Sequence, residues 1–347
     1  MPELPEVETV RRGLAELLPG RVVRSVTVFD SPKSFPNPPA DVEQFLYGAG
    51  VREVRRRAKV LIIDLDTEYS LVVHLKMTGQ LVFRRGVEFD SSRSTHSPRS
   101  TLFSSSATGA RVERSAEVSL GSTSQSPQRG VSQAESLLSA DGDFAGGHPN
   151  DSLIGDLPDR STRVQIDFND GSRLFFNDQR KFGWVKLLPT VEIESLPFFQ
   201  KVGPEPLDPK TKPQEFVQRI RRRSGTMVKP AILDQSVIAG VGNIYADEAL
   251  WAAKIHPETR VRELGDERLN TLFTEIVEVL ALSIEKGGST DKNYVDAEGK
   301  RGNYLEFANV FRREGQPCRI HPDVLIEKTR VAGRGTHTCP ACQTLLI

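Results

Sequence analysis

The chain has 347 residues, with 46 basic and 46 acidic side chains, so it lacks the overall basic excess usual in nucleic-acid-binding proteins. Its length admits two or three domains. No apolar stretch is long enough for a bilayer and the N-terminus lacks a signal-peptide pattern, so a cytoplasmic chain is expected. The three cysteines, Cys318, Cys339 and Cys342, all fall in the last thirty residues, which argues against a disulfide framework and for a metal site in a reducing compartment.

The zero charge hides an uneven distribution. Residues 87–159 carry five arginines and ten acids, and without them the chain has 41 basic and 36 acidic residues, an excess of five.

The chain opens Met1-Pro2-Glu3-Leu4-Pro5-Glu6. If methionine removal exposes Pro2, its secondary amine, with a pKa near ~8, is partly neutral at neutral pH and can attack a carbon electrophile. Glu3 and Glu6 place possible proton donors beside it. Val7, Val10, Leu14 and Leu17 have helical spacing, and Pro5 suits a first turn, so a helix that holds the amine still is expected here.

Residues 21–29, 51–65, 71–75 and 80–83 are rich in β-branched side chains and read as strands of one antiparallel sandwich or flattened barrel. The basic run Arg55-Arg56-Arg57-Ala58-Lys59 lies within them, and the turn 74–81 exposes Met77 beside the permissive Gly79. From about 86 to about 159 serine, threonine, glycine and proline dominate and apolar periodicity vanishes, so this segment is expected to be a disordered loop between two strands. Strand pattern resumes at 163–168, turns at Asn169-Asp170-Gly171 and returns through 173–176 as a hairpin.

After Gly203-Pro204-Glu205-Pro206 the pattern becomes helical, over 213–223, 227–233, 245–253 and 266–285. At its centre, Gly240-Val241-Gly242-Asn243 is a glycine-rich turn opening into a helix, a place where backbone N–H groups and Asn243 can bind phosphate. The tail pairs Cys318-Arg319-Ile320-His321 with Cys339-Pro340-Ala341-Cys342, a spacing that fits a tetrahedral structural zinc held by Cys318, His321, Cys339 and Cys342. Arg334, flanked by glycines at the tip of the intervening hairpin, can approach a phosphate closely.

The opening fourteen residues, the turn His74-Leu75-Lys76-Met77-Thr78-Gly79, the loop Asp178-Gln179-Arg180-Lys181-Phe182-Gly183, the run Gly240 to Tyr245 and the cysteine-bearing tail together resemble the formamidopyrimidine-DNA glycosylases. These are bifunctional base-excision enzymes for oxidised purines, and the resemblance covers roughly 270 residues. It implies an α+β fold: an N-terminal helix and β-sandwich over 1–204, interrupted by an insertion at about 86–159, a helix-two-turn-helix domain over 205–300, and a zinc-finger hairpin over 301–347. It implies a monomer acting on damaged double-stranded DNA with one structural Zn2+. Pro2 would attack C1′, Glu3 would protonate the opening sugar, and Lys59 and Arg334 would assist β- and δ-elimination.

By the same resemblance Met77, Arg180 and Phe182 would fill the gap left by an everted nucleotide, Arg180 hydrogen-bonding the orphaned cytosine. Lys181, Lys229 and Asn243 would contact DNA. The chain departs from the family at Ser161 and Arg163, where histidines are usual, at Ser224, and at His321, where the family has a fourth cysteine. A polar stretch at 287–304 corresponds to a mobile loop over the flipped base. Two alternatives stay open: an endonuclease VIII-like enzyme for oxidised pyrimidines, and a damage-binding protein without catalysis.

Overall fold

The computed structural model describes residues 2–29, 32–86, 143–148, 155–289 and 303–346. Its first helix, α1 (Leu4–Leu17), starts in a reciprocal cap: Glu3 N–H donates to the Glu6 carboxylate at 2.7 Å. Such a box satisfies donors that a helix start leaves orphaned, and it ties Glu3 and Glu6 into one rigid unit.

Two antiparallel sheets follow. One has the order β1 (Val23–Val28), β7 (Thr162–Phe168), β8 (Arg173–Asp178), β5 (Gly79–Arg84), β6 (Phe144–Gly147). The other has the order β2 (Val51–Arg57), β3 (Val60–Leu65), β4 (Tyr69–His74), β9 (Trp184–Pro189). The short helix α2 (Pro39–Phe45) joins the two sheets. Side chains alternate across a strand, so Leu61 and Ile63 of β3 enter the main core with Phe83, Phe176 and Val185, while Val60 and Ile62 face a second cluster with Ile193 and Phe199. Burial on both faces explains why β3 reads as one unbroken apolar run. Phe199 comes from α3 (Pro197–Lys201).

The helical region comprises α4 (Pro213–Arg221), α5 (Val228–Leu233), α6 (Asn243–Ala252), α7 (Asp266–Glu285) and α8 (Tyr304–Phe307). Its core gathers Phe216, Ile232, Tyr245, Leu250 and Leu280, and also takes in Leu4 from α1. Leu4 N–H donates to the Gly240 carbonyl at 3.1 Å, and Gly240 has φ +82°, with space for a Cβ already filled by the Leu4 side chain. The hairpin of β10 (Glu327–Val331) and β11 (Arg334–Thr338) is flanked by Ile326 and Cys339, which share a small core with Trp251 of α6. Among the described residues no helix is long and apolar enough to cross a membrane.

The strand-forming stretch 51–65 is two strands, β2 and β3. They are joined by a turn in which Ala58 takes φ +52°, and that turn puts Lys59 at a hairpin tip. The expectation of disorder over 86–159 does not hold at 143–148, where β6 pairs with β5, nor at 155–159; residues 87–142 and 149–154 lie outside the described residues. β6 and β9 were not expected from pattern. The helix expected from 245 begins at Asn243, because Gly242 takes extended backbone and serves as its N-cap. Most of the 287–304 stretch also lies outside the described residues.

Candidate active site and nucleic-acid interface

A cleft of about 920 Å³ is lined by Pro2, Glu3, Lys59, Met77, Asn243 and Arg334, among others. The start of α1 meets the start of α6 at its floor. Ile244 N–H donates to a Glu3 carboxylate oxygen at 3.2 Å, and the other oxygen is buried with no hydrogen-bond partner among the described residues. This contact requires glycine at 242, since a Cβ there would lie 2.1 Å from the Glu3 carboxyl carbon. Burial raises the Glu3 carboxyl to about 7, with the nearby Lys59 ammonium only partly offsetting it. A buried acid that keeps its proton near neutral pH can deliver it to a substrate.

Glu6 is committed elsewhere. Its carboxylate accepts hydrogen bonds from Tyr245 Oη at 2.5 Å, Ser289 N at 2.9 Å and Ser289 Oγ at 2.7 Å. Two neighbouring acids thus have different jobs: Glu6 anchors, and Glu3 keeps a free oxygen. Lys59, 7 % exposed, donates to the Val241 carbonyl at 2.9 Å, and burial lowers its pKa against the opposing pull of Glu3.

Arg334 is exposed at the hairpin tip, where the cleft begins. The strand behind it is held by groups from the helices. Asn243 Nδ2 and Lys229 Nζ both donate to the Gly335 carbonyl, at 3.0 and 2.9 Å, and Lys229 also donates to Thr336 Oγ1 at 2.7 Å. Lys229 is fully buried and ion-paired to Asp247 at 2.7 Å, and Asp247 in turn receives His337 N–H at 3.0 Å. Lys229 therefore faces the protein interior rather than a groove for DNA, because its charge is balanced by Asp247 and its donors are used on β11.

Met77, Arg180 and Phe182 meet at one exposed tip. Arg180 Nη1 lies 3.1 Å from the Met77 sulfur, and its guanidinium stacks over the Phe182 ring at 4.9 Å. Phe182 is 53 % exposed, far more than an aromatic ring needs for folding. The tip is organised by the buried Asp178, whose carboxylate accepts from Thr78 Oγ1, Arg180 N at 3.1 Å and Gly183 N at 2.6 Å. Lys181 sits between them with φ +57°. Asp178 thus joins the loop after β8 to the turn before β5, a link that spacing alone does not reveal.

The Cys318, His321, Cys339 and Cys342 ligand atoms all lie within 4.8 Å of one another. Cys318 and Cys342 sulfurs are 3.7 Å apart, and His321 Nδ1 is 3.2 Å from Cys342 Sγ. A tetrahedron with Zn–S bonds of ~2.3 Å has an S···S edge of about 3.8 Å, so the cluster is compatible with a structural zinc.

Several basic residues are turned away from the cleft. Arg55 pairs with Asp64, Arg56 with Glu8 and Glu205, and Arg57 with Glu205, so the run 55–57 braces α1 and the linker while Lys59 alone reaches the site. Ser161 and Arg163 are buried, Ser161 Oγ donating to Asp159 at 2.7 Å and Arg163 Nε to the Asp178 carbonyl at 2.8 Å. The cleft also holds His74, His148 and Phe198, which sequence reasoning missed. Burial drives the His74 imidazole down to about 3, so it is neutral.

Comparison with known proteins adds the following. Residues 1–119 match the formamidopyrimidine-DNA glycosylase N-terminal domain and residues 202–294 the formamidopyrimidine-DNA glycosylase H2TH domain. The chain is 33% identical over 344 residues to the formamidopyrimidine-DNA glycosylase of Pelotomaculum thermopropionicum, covering 99% of both chains. It is 35% identical to that of Herpetosiphon aurantiacus, covering 99% of this chain and 100% of the other. Among solved structures, the Lactococcus lactis Fpg bound to DNA containing an abasic site superposes with a TM-score of 0.72 at 27% identity, covering 99% of both chains. The same bacterium's wild-type protein with N7-benzyl-Fapy-dG DNA gives 0.71, at 27% identity, with 99% of this chain and 100% of the other covered.

Proposed function

Since the chain belongs to the formamidopyrimidine-DNA glycosylase family, we propose that the cleft beside α1 takes up the everted nucleotide of an oxidised purine and that Pro2, freed of Met1, is its nucleophile. The protein is a base-excision repair DNA glycosylase for oxidised purines. The observation that carries the assignment of roles is the Glu3 carboxyl: buried, next to Pro2, with one oxygen uncommitted and a pKa of about 7.

In this reading the neutral Pro2 nitrogen forms a bond to C1′ as the bond from C1′ to the base breaks, the base leaving with the electron pair and taking up the proton that the Pro2 nitrogen sheds. Glu3 gives its proton to O4′ as the sugar ring opens, and a Schiff base joins Pro2 to C1′. Loss of a C2′ proton then expels the 3′-phosphate, and a second elimination expels the 5′-phosphate. Lys59, with its lowered pKa, is suited to move a proton at the sugar, and the exposed Arg334 to hold a flanking phosphate. Asn243 orients β11 beneath Arg334. Met77, Arg180 and Phe182 occupy the vacated stack, with Arg180 facing the orphaned base, and Lys181 supplies a charge beside them.

We read 1–204, 205–300 and 301–347 as the three functional regions; each centres on its own apolar cluster, with Leu4, Tyr304 and Trp251 packing across the boundaries. Cys318, His321, Cys339 and Cys342 hold one zinc, which fixes the hairpin that carries Arg334. A cytoplasmic monomer bound to damaged duplex DNA is the form this reading requires.

Borohydride reduction during reaction with a duplex carrying 8-oxoguanine tests it. A covalent protein–DNA adduct is expected from the wild type and a much weaker one from Pro2→Gly; an undiminished adduct in the variant would move the nucleophile elsewhere.

A further inference from the structure

Strand β6 has no role in the chemistry above, yet it ends at the cleft. Its four residues are all buried between α1 and β5. The Phe144 ring lies against Gly13 of α1, where a Cβ would come within 2.4 Å of it, and a Cβ at Gly146 would lie 2.7 Å from Val10. Gly147 takes φ +121°, and a Cβ there would come within 2.5 Å of the Gly79 carbonyl oxygen. Three close approaches that only glycine allows wedge the strand between α1, which starts two residues after Pro2, and β5, which starts two residues after Met77.

The next residue, His148, inherits that placement. Its N–H donates to the Gly79 carbonyl at 3.0 Å, and its own carbonyl accepts from the side-chain amide of Gln80. Gln80 is fully buried and accepts from Asn177 Nδ2 at 3.5 Å, and Asn177 accepts from Thr162 Oγ1 at 2.9 Å. Because Thr162, Asn177, Gln80 and Gly147 are cross-strand neighbours, a polar ladder runs over β7, β8, β5 and β6 and ends on His148. A buried ladder of satisfied amides holds its members in one geometry. The imidazole is half-buried and lines the cleft with Pro2, Glu3 and Met77.

We propose that His148 is a specificity-determining residue whose imidazole hydrogen-bonds the everted base, a contact made before the base is released and absent once it has gone. The inference rests on the cleft being the lesion site, as above. Burial lowers the imidazole pKa, so at neutral pH the ring is uncharged and offers one donor and one acceptor. That suits the mixed donor and acceptor edge of an oxidised purine better than a phosphate, which favours a cation.

The test compares two substrates, a duplex with 8-oxoguanine opposite cytosine and the same duplex with a pre-formed abasic site, for wild type, His148→Ala and His148→Gln under single-turnover conditions. Base excision by His148→Ala is expected to fall about tenfold, the kinetic equivalent of one hydrogen bond of about 1.4 kcal/mol, while abasic-site cleavage falls less than about twofold. His148→Gln should recover part of the excision rate. Equal losses on both substrates, or no loss on either, would overturn the proposal. Failure of the underlying reading shows separately, as a wild type that forms no reducible adduct with the abasic duplex.

Discussion

Glu3→Gln replaces the buried carboxyl by its neutral isostere and separates two consequences of one pKa. In the folded protein the carboxyl titrates near 7 rather than at its ordinary 4.5, because burial disfavours its charge. The folded state therefore binds this proton more tightly than the unfolded chain, so the group's contribution to stability is full below pH 4.5 and is lost as the pH rises through 7. Between pH 5 and pH 8 linkage makes that loss about 2.5 kcal/mol. Glutamine does not titrate, so the unfolding free energy of the variant, from urea denaturation at a series of pH values, should decline less over that range by about 2–3 kcal/mol. Other groups titrate in both proteins, so the difference between the curves reports Glu3 together with its effect on the neighbouring Lys59. The same substitution removes the proton donor proposed for sugar opening, and base excision should fall by about 10²–10⁴. Parallel stability curves for the two proteins would refute the raised pKa, and a variant with wild-type excision would refute the role assigned to it.

Three further outcomes are expected. Asp247→Ala leaves the Lys229 ammonium buried without its partner and should cost about 3–5 kcal/mol in chemical denaturation, whereas a loss below about 1 kcal/mol would mean that the Lys229 charge is not held as described. Arg180→Ala should reduce discrimination between cytosine and adenine opposite the lesion by about 1–3 kcal/mol, read as the ratio of excision rates; an unchanged ratio would make Arg180 a structural member of the loop. Metal analysis should give about one zinc per chain, and its removal by a chelator should abolish DNA cleavage while leaving the sheets folded; a metal-free, active protein would dismiss the site.

The legible parts of the molecule were those where short-range chemistry decides the structure. Pro5 and the apolar spacing mark α1, Asn169-Asp170-Gly171 marks the β7–β8 hairpin, and the paired ligands at 318–321 and 339–342 mark the metal cluster, which the structure closes to within 4.8 Å. The illegible parts depend on partners distant in the chain. Nothing local distinguishes Lys229, buried on Asp247 and β11, from Lys59, which lines the cleft; only the folded chain shows which carboxylate each one meets. The basic run at 55–57 does not show in the sequence which acids it meets: Asp64, Glu8 and Glu205 are brought to it only by the fold. β6 was hidden because three of the four residues in Phe-Ala-Gly-Gly disfavour strands; it is a strand because β5 offers an edge and α1 leaves no room for a Cβ at Gly146. The same composition that suggested disorder is what lets the strand fit. Asp178 was quoted as part of a motif, but its work in joining the turn that bears Met77 to the loop that bears Arg180 and Phe182 appears only from its three hydrogen bonds to Thr78, Arg180 and Gly183 once Gly183 and Thr78 are seen to be neighbours in space.

The central claim is that the nitrogen of Pro2 joins C1′ of the damaged nucleotide. Reducing the reacting complex with borohydride, digesting protein and DNA, and sequencing the modified peptide by mass spectrometry locates that bond. The account predicts a peptide that begins at Pro2 and carries the deoxyribose remnant on its terminal nitrogen. A remnant on Lys59, or an adduct formed by a protein that still carries Met1, would contradict it.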